Sequence, residues 1–323
     1  MTLRSGMSGD YVKRVQQLLS GLKLYGGPID DVFGGGLESA VKRFQKGKNL
    51  AMTGVLDSTT WEQMFPGEPA PVSTLTNSSL LDRCLALTGT FETSTYPPES
   101  FLGLTGDFDG MGMSFGVCQW NIGQGTLQPL LQQMFEEHSD VAQNIFHEHF
   151  ETVKALRSAS VADQLTFTRS IQTKGQIHEP WRGMLCTLGR TPEFQRVQAY
   201  HAADFYRQAL QLCREFGLSS ERAVALMFDI VTQNHSIDPL VKTSILADFS
   251  QIARDAPDVE VAKMRIVANR RAAVAKPEYR DDVRTRKLAI ANGAGTVHGL
   301  VYDLADMYCI TLNPFVEVAA AGA

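Results

Sequence analysis

The 323-residue chain has no C-x-x-C pair, no H-E-x-x-H run and no excess of positive charge. Its five cysteines (Cys84, Cys118, Cys186, Cys213, Cys309) are scattered and odd in number. That argues against a disulfide framework and for synthesis in a reducing compartment. A net charge of −5 offers no basic stripe for nucleic acid and no attraction to an anionic membrane. No run reaches the ~18 apolar residues of a membrane span, and MTLRSGMSGDYVKRV lacks the apolar stretch of a secretory signal. His147 and His149 are two apart in a helical stretch and point to different faces, so no metal site and no cofactor are expected. Internal repeats and low-complexity tracts are also missing. What remains, at 44% hydrophobic and 20% charged residues, is an ordinary globular composition, long enough for two units.

The units are divided by PGEPAPVSTLTNSS, whose prolines, serines and threonines mark a linker over 67–79. Before it, residues 1–66 read as three short helices. Val12, Val15, Leu18, Leu19 and Leu22 recur at helical spacing, as do Leu37, Ala40, Val41 and Phe44. Asp57 or Ser58 caps a third helix holding Trp61, Met64 and Phe65.

The order of these residues carries a resemblance. Gly6, Gly9, Val12, Gln16 and Leu19, then Pro28 to Gly34, Ala40 to Gln45 and Thr53 to Trp61, are similar to the peptidoglycan-binding domain type 1 family. The resemblance implies a three-helix bundle with a shallow groove for wall glycan or its peptides. Asp30, Asp31 and Phe33 are the candidate binding residues; as ordinary structure, the two aspartates cap a turn and Phe33 belongs to the core.

Residues 80–315 read as mostly helical, with helices at Leu80–Leu87, Leu127–His138, Val141–Leu156, Val161–Ile171, Pro180–Leu188 and Pro192–Phe216. Ser220–Gln233, Pro239–Ala253, Val259–Ala275 and Tyr279–Asn292 follow. Only Thr105–Trp120 reads as strands, around a turn at Asp109-Gly110, and residues 316–323 read as a tail. The fold class is therefore mainly α with a small β-hairpin sheet.

Chemistry concentrates in Phe91–Leu127. Glu92 ends an apolar helix, where partial desolvation would favour the neutral acid needed to protonate a leaving group. Asp109 follows in a glycine-punctuated hairpin that leaves room for a polymer. Two carboxylates on separate elements suit glycosidic bond cleavage. An aspartate before glycine is also an ordinary turn former, and Asp107, on the same face, is the rival to Asp109.

Glu92 with Asp109-Gly110-Met111-Gly112-Met113-Ser114-Phe115-Gly116, then Asn121 to Thr126 entering a helix, resembles the glycoside hydrolase family 46 chitosanases and the wider lysozyme-like superfamily. The resemblance implies an α-rich lysozyme-like catalytic domain over 80–315. It makes Glu92 the general acid, Asp109 the base and Ser114 a group positioning the attacking water. It also implies inversion, with carboxyls about 6.5–9.5 Å apart. Asp229 matches the family's second acidic landmark, on a helix facing the cleft. Arg270, Arg271 and the stretch Arg284 to Leu288 are similar to its arginine-rich C-terminal helix, either as partners of a buried carboxylate or as a solvated face.

One departure bears on substrate. Where that family has an acidic cleft for chitosan, this chain has Gln119, Trp120 and Asn121, which suit an N-acetylated glycan through stacking and amide hydrogen bonds. Beside a wall-binding unit this favours peptidoglycan as substrate and partner, with chitosan as the alternative. A cysteine peptidase built on Cys118 and a non-enzymatic wall-binding protein are the readings of other classes. The expected molecule is a monomeric, unanchored wall-lytic glycosidase. Without a visible signal it would be made in a host cytoplasm and released through a holin or secretion system, a layout that resembles phage endolysins.

Overall fold

The computed structural model describes residues 1–234, 236–253 and 255–315; the expected tail over 316–323 lies outside them. The periodic leucines and valines of the N-terminal stretch produce α1 (Asp10–Gly21), α2 (Gly35–Gly47) and α3 (Ser58–Met64). Val12, Val15, Leu19, Phe33, Leu37, Val41 and Trp61 close their shared core at 0–1% exposure. Asp57 caps α3 by accepting from the Thr60 amide.

Two buried glutamines hold this unit's loops. Gln16 accepts from the amides of Asp30 and Asp31 and donates to Asp30 Oδ1 at 2.7 Å and the Val32 carbonyl at 3.0 Å. Gln45 does the same for the second loop, through Gly54 N, the Val55 carbonyl and Thr53. Burying an amide is tolerable here because its donors and acceptor are matched. Residues 66–79 form no helix or strand, yet Ser73 donates to the Met307 carbonyl at 2.7 Å and Gly6 packs against the Tyr96 ring.

The larger part begins with α4 (Leu80–Thr93), capped by Ser79. Then come β1 (Leu104–Thr105), β2 (Ser114–Phe115) and β3 (Trp120–Asn121), an antiparallel sheet pairing Thr105 with Ser114 and Ser114 with Asn121. Helices α5 (Gln128–Glu137), α6 (Ser139–Phe146), α7 (Phe150–Arg157) and α8 (Val161–Ser170) lead to the hairpin β4 (Gln172–Thr173) and β5 (Gln176–Ile177). After α9 (Trp181–Arg190) come α10 (Pro192–Phe216), α11 (Glu221–Asn234), α12 (Pro239–Phe249), α13 (Val259–Ala273) and α14 (Arg280–Asn292). The hairpin β6 (Ala294–Val297) and β7 (Leu300–Asp303) precedes α15 (Leu304–Tyr308).

The architecture is mainly α with small antiparallel sheets, as the periodicity predicts. At its centre lies α11, whose Val224 to Phe228, Ile230 and Val231 are at most 1% exposed, packed among α4, α10 and α14. A helix apolar on every side is a core helix.

Three details differ from expectation. The helix predicted over Val141–Leu156 breaks at a 3₁₀ turn, His147–His149, with His147 in left-handed backbone. The break lets both Phe146 and Phe150 pack on Phe135, with ring centroids at 5.8 and 5.2 Å. The other two are the hairpins β4–β5 and β6–β7, which sequence periodicity does not flag. Each turns on a two-residue pair with positive φ, Lys174-Gly175 and His298-Gly299, the geometry that matches strand twist.

Candidate functional site

Glu92 sits one residue from the end of α4, with its side chain 23% exposed. Phe91 before it is buried and stacks on Tyr302 at 4.4 Å. Helix α4 can lie against the sheet because Gly89 has no side chain: a Cβ there would overlap Val117. A Cβ on Gly103 would likewise overlap Thr93 and lie 2.6 Å from Gln119 Nε2. Two close approaches thus seat the β1–β2–β3 sheet on the end of α4 that carries Glu92.

Behind Glu92 is a buried charge cluster. Arg286, 3% exposed on α14, donates from Nη2 to Glu92 Oε1 and to Asp229 Oδ1, each at 2.6 Å. Its Nε reaches both Asp229 oxygens, at 3.0 and 3.2 Å, and its guanidinium lies 4.8 Å from the Phe91 ring centroid. Lys287, fully buried, donates to Asp229 Oδ2 and to Gln233 at 2.7 Å. Two basic side chains thus face two carboxyl groups.

Burial alone would raise Asp229; Arg286 and Lys287 outweigh it and hold its carboxyl below the ordinary range. Burial also opposes charge on Arg286, but Asp229 and Glu92 overcome it and keep the guanidinium firmly protonated. Lys287 goes the other way. Burial drives it down to about 8, and the Asp229 carboxylate offsets that only in part.

Asp229 is therefore not a group that meets substrate, as the sequence reading has it. At 0% exposure, with both oxygens taken by Arg286 and Lys287, it fixes the arginine that holds Glu92. The two arginine groups divide. Arg270 pairs with Asp248 at the surface, at 2.6 Å, whereas Arg286 is the buried partner.

Asp109 lies on the loop between β1 and β2, exposed, with Oδ1 accepting, among the described residues, only the nearby Met111 amide at 3.0 Å. Asp107 is differently employed. Its side chain, 6% exposed, takes Arg169 Nε at 3.0 Å and the Gly110 amide at 2.7 Å. Burial would raise its carboxyl, but Arg169 and the amides of Gly112 and Gly110 hold it low. Asp107 is thus committed to shaping the loop, and Asp109 is the available carboxylate. Phe108 beside it is 78% exposed.

Ser114 accepts from Asn121 Nδ2 at 3.0 Å, which leaves its own proton free to donate among the described residues. Asn121, 7% exposed, also accepts from Gln124 N, so it orients Ser114. Gln119 spends its amide on the carbonyls of Gly103 and Gly116 and accepts from Thr105. Trp120 is 5% exposed in the core and presents no face to a sugar. These three residues, read from sequence as glycan contacts, build the sheet instead: both residues of β3, Trp120 and Asn121, are buried, and Gln119 is spent on backbone carbonyls.

Cys118 lies in the turn after β2, near the Glu92 cluster. Burial pushes its thiol well above the ordinary value, and the Glu92 charge adds to that, so the thiolate a cysteine peptidase needs is disfavoured.

In the N-terminal unit, Asp30 lines an open groove of about 450 Å³ with Tyr25, Gly27, Ser39 and Arg43. Gln16, then the Val32 amide, hold its carboxyl below the usual value. Asp31 is exposed in left-handed backbone and outside that groove, and Phe33 is core.

Residues 8–64 match the family model described as "Putative peptidoglycan binding domain", which supports peptidoglycan as the partner of this unit. No curated protein matches the chain. Among solved structures it is similar to a chitosanase with bound substrate, at 14% identity and a TM-score of 0.46, over 72% of this chain and 99% of that one. A glycoside hydrolase family 46 chitosanase of Gynuella sunshinyii with chitotetraose gives 13% and 0.44, over 70% and 97%. A Burkholderia AP3 phage endolysin gives 14% and 0.20, over 90% and 98%. At these values the likenesses carry no argument about activity, which rests on the residues themselves.

Proposed function

We propose that the chain is a wall-lytic glycosidase, in which residues 1–66 hold peptidoglycan and residues 80–315 cleave its β-1,4 glycan. The observation that carries this reading is Glu92: a partly exposed carboxyl, held through one oxygen by a buried arginine that Asp229 fixes from behind. Its Oε2 has no partner among the described residues and is left for a glycosidic oxygen. As Glu92 gives up its proton, negative charge develops 2.6 Å from Arg286 Nη2, where a fixed guanidinium stabilises it in a poorly solvated place.

Asp109, the carboxylate not consumed by its own loop, activates the water, and Ser114, oriented by Asn121, positions that water. The wall-binding match over residues 8–64 supports peptidoglycan as the substrate. Purified protein incubated with peptidoglycan and, separately, with chitosan is expected to release reducing ends from peptidoglycan at the higher rate. Mass spectrometry of the products identifies the bond cut. Binding to walls with no product from either polymer would leave only the non-enzymatic reading.

A further inference from the structure

The loop bearing Asp109 does not stand alone. Gly106 N donates to the Gly175 carbonyl at 3.1 Å, and Asp107 N donates to Gln172 Oε1 at 2.8 Å. Arg169 Nη2 reaches the Gly110 carbonyl at 3.1 Å. The β4–β5 turn and the end of α8 are thereby pressed against the base loop, leaving an open groove of about 370 Å³. Asp107, Phe108, Arg169, Gln172, Lys174 and Gly175 line it. Across Gly175 a second groove of about 310 Å³ continues past Arg182.

Three basic side chains, Arg169, Lys174 and Arg182, and one acidic one, Asp107, line this path. Asp107 is nearly enclosed and spent on Arg169, whereas Lys174 is exposed, with no partner among the described residues. Arg182 is exposed and forms a loose surface ion pair with Glu179 at 3.8 Å. Phe108 adds an exposed aromatic face at the rim. A cationic rim within a residue or two of the base repels a polycation and attracts a carboxylate.

We infer that this groove is a subsite for the carboxylate-bearing peptide stems of a wall glycan, with Lys174 as its main charge contact, Arg182 as the second and Phe108 covering the adjoining sugar. The inference rests on the glycosidase reading and narrows its substrate to glycan that still carries peptide.

The test compares kcat/KM for intact peptidoglycan with that for strands stripped of peptide, in wild-type protein and in Lys174→Glu. The exposed turn position tolerates the change without altering the core. The ratio of intact to stripped is expected to exceed one in wild type and to fall about fivefold in the variant, mostly through KM; this is the scale of one exposed charge contact. Raising salt from low to physiological strength should shrink the wild-type ratio, because such contacts are screened. A ratio unchanged by Lys174→Glu, while wild type still cleaves, overturns the subsite and leaves the glycosidase reading standing. Wild-type protein that cleaves neither glycan overturns both.

Discussion

Replacing Asp229 with asparagine keeps the shape of the side chain and removes its charge from the middle of α11. Arg286 and Lys287 are 3% and 0% exposed, so neither can recover solvent. Glu92 would remain as the only carboxylate of the cluster, and it reaches Arg286 alone. Removing one member of a buried, hydrogen-bonded pair costs about 3–5 kcal/mol. For a unit of this size each kcal/mol lowers Tm by about 2–4 °C, so the expected fall is ~6–20 °C in the main calorimetric transition.

The pH dependence carries a sign. The folded-state value of Asp229 is depressed, so its contribution is complete above the unfolded value of about 3.9. It is lost only as pH falls through the lower folded value. The gap between wild type and Asp229→Asn should therefore persist from neutrality to about pH 4 and close in stronger acid. Lys287 acts oppositely. With a folded value of about 8 beneath an unfolded one near 10.4, the unfolded chain holds the extra proton between them, so wild-type stability gains from this group as pH rises through that window. A Tm shift under about 2 °C at pH 7, or a gap that widens in acid, would refute this account of the cluster.

Asp109→Asn should lower kcat on peptidoglycan by about 10²–10⁴, the range for a lost general base, while Asp107→Asn costs under about tenfold because it only loosens the loop; the reverse order would reassign the base. Gly106→Ala places a Cβ over Gln172 Oε1 and 2.5 Å from the Gly175 carbonyl, so initial rates should drop several-fold with little change in thermal unfolding. Cys118→Ser should retain most of the activity, and its loss would revive a thiol mechanism.

Much of the fold is written locally. The apolar spacing of 12–22 and 37–44 gives the first two helices, and the helix over 220–233 is also legible, although its one buried charge, Asp229, reads from sequence as a cleft residue. The glycines between 103 and 116 signal a sheet approached closely by other backbone. What resists reading is long-range partnership. Nothing near Asp229 indicates that its cations lie 57 and 58 residues away, or that Arg286 bridges 194 residues back to Glu92. Asp107 and Asp109 are equivalent until Arg169 claims the first. Trp120 reads as a sugar platform only while the facing of its strand is unknown. The pairs Lys174-Gly175 and His298-Gly299 were the available signals for the two unforeseen hairpins.

The central claim is that Glu92 delivers the proton. Glu92→Gln preserves the side chain's shape and its contact with Arg286 but cannot protonate a leaving oxygen. Reducing-end release from purified peptidoglycan, measured beside sedimentation with intact walls and thermal unfolding, tests it most directly. The account predicts a fall in kcat of at least about 10²-fold with wall binding unchanged and the fold intact. Retention of near wild-type turnover by Glu92→Gln would contradict it.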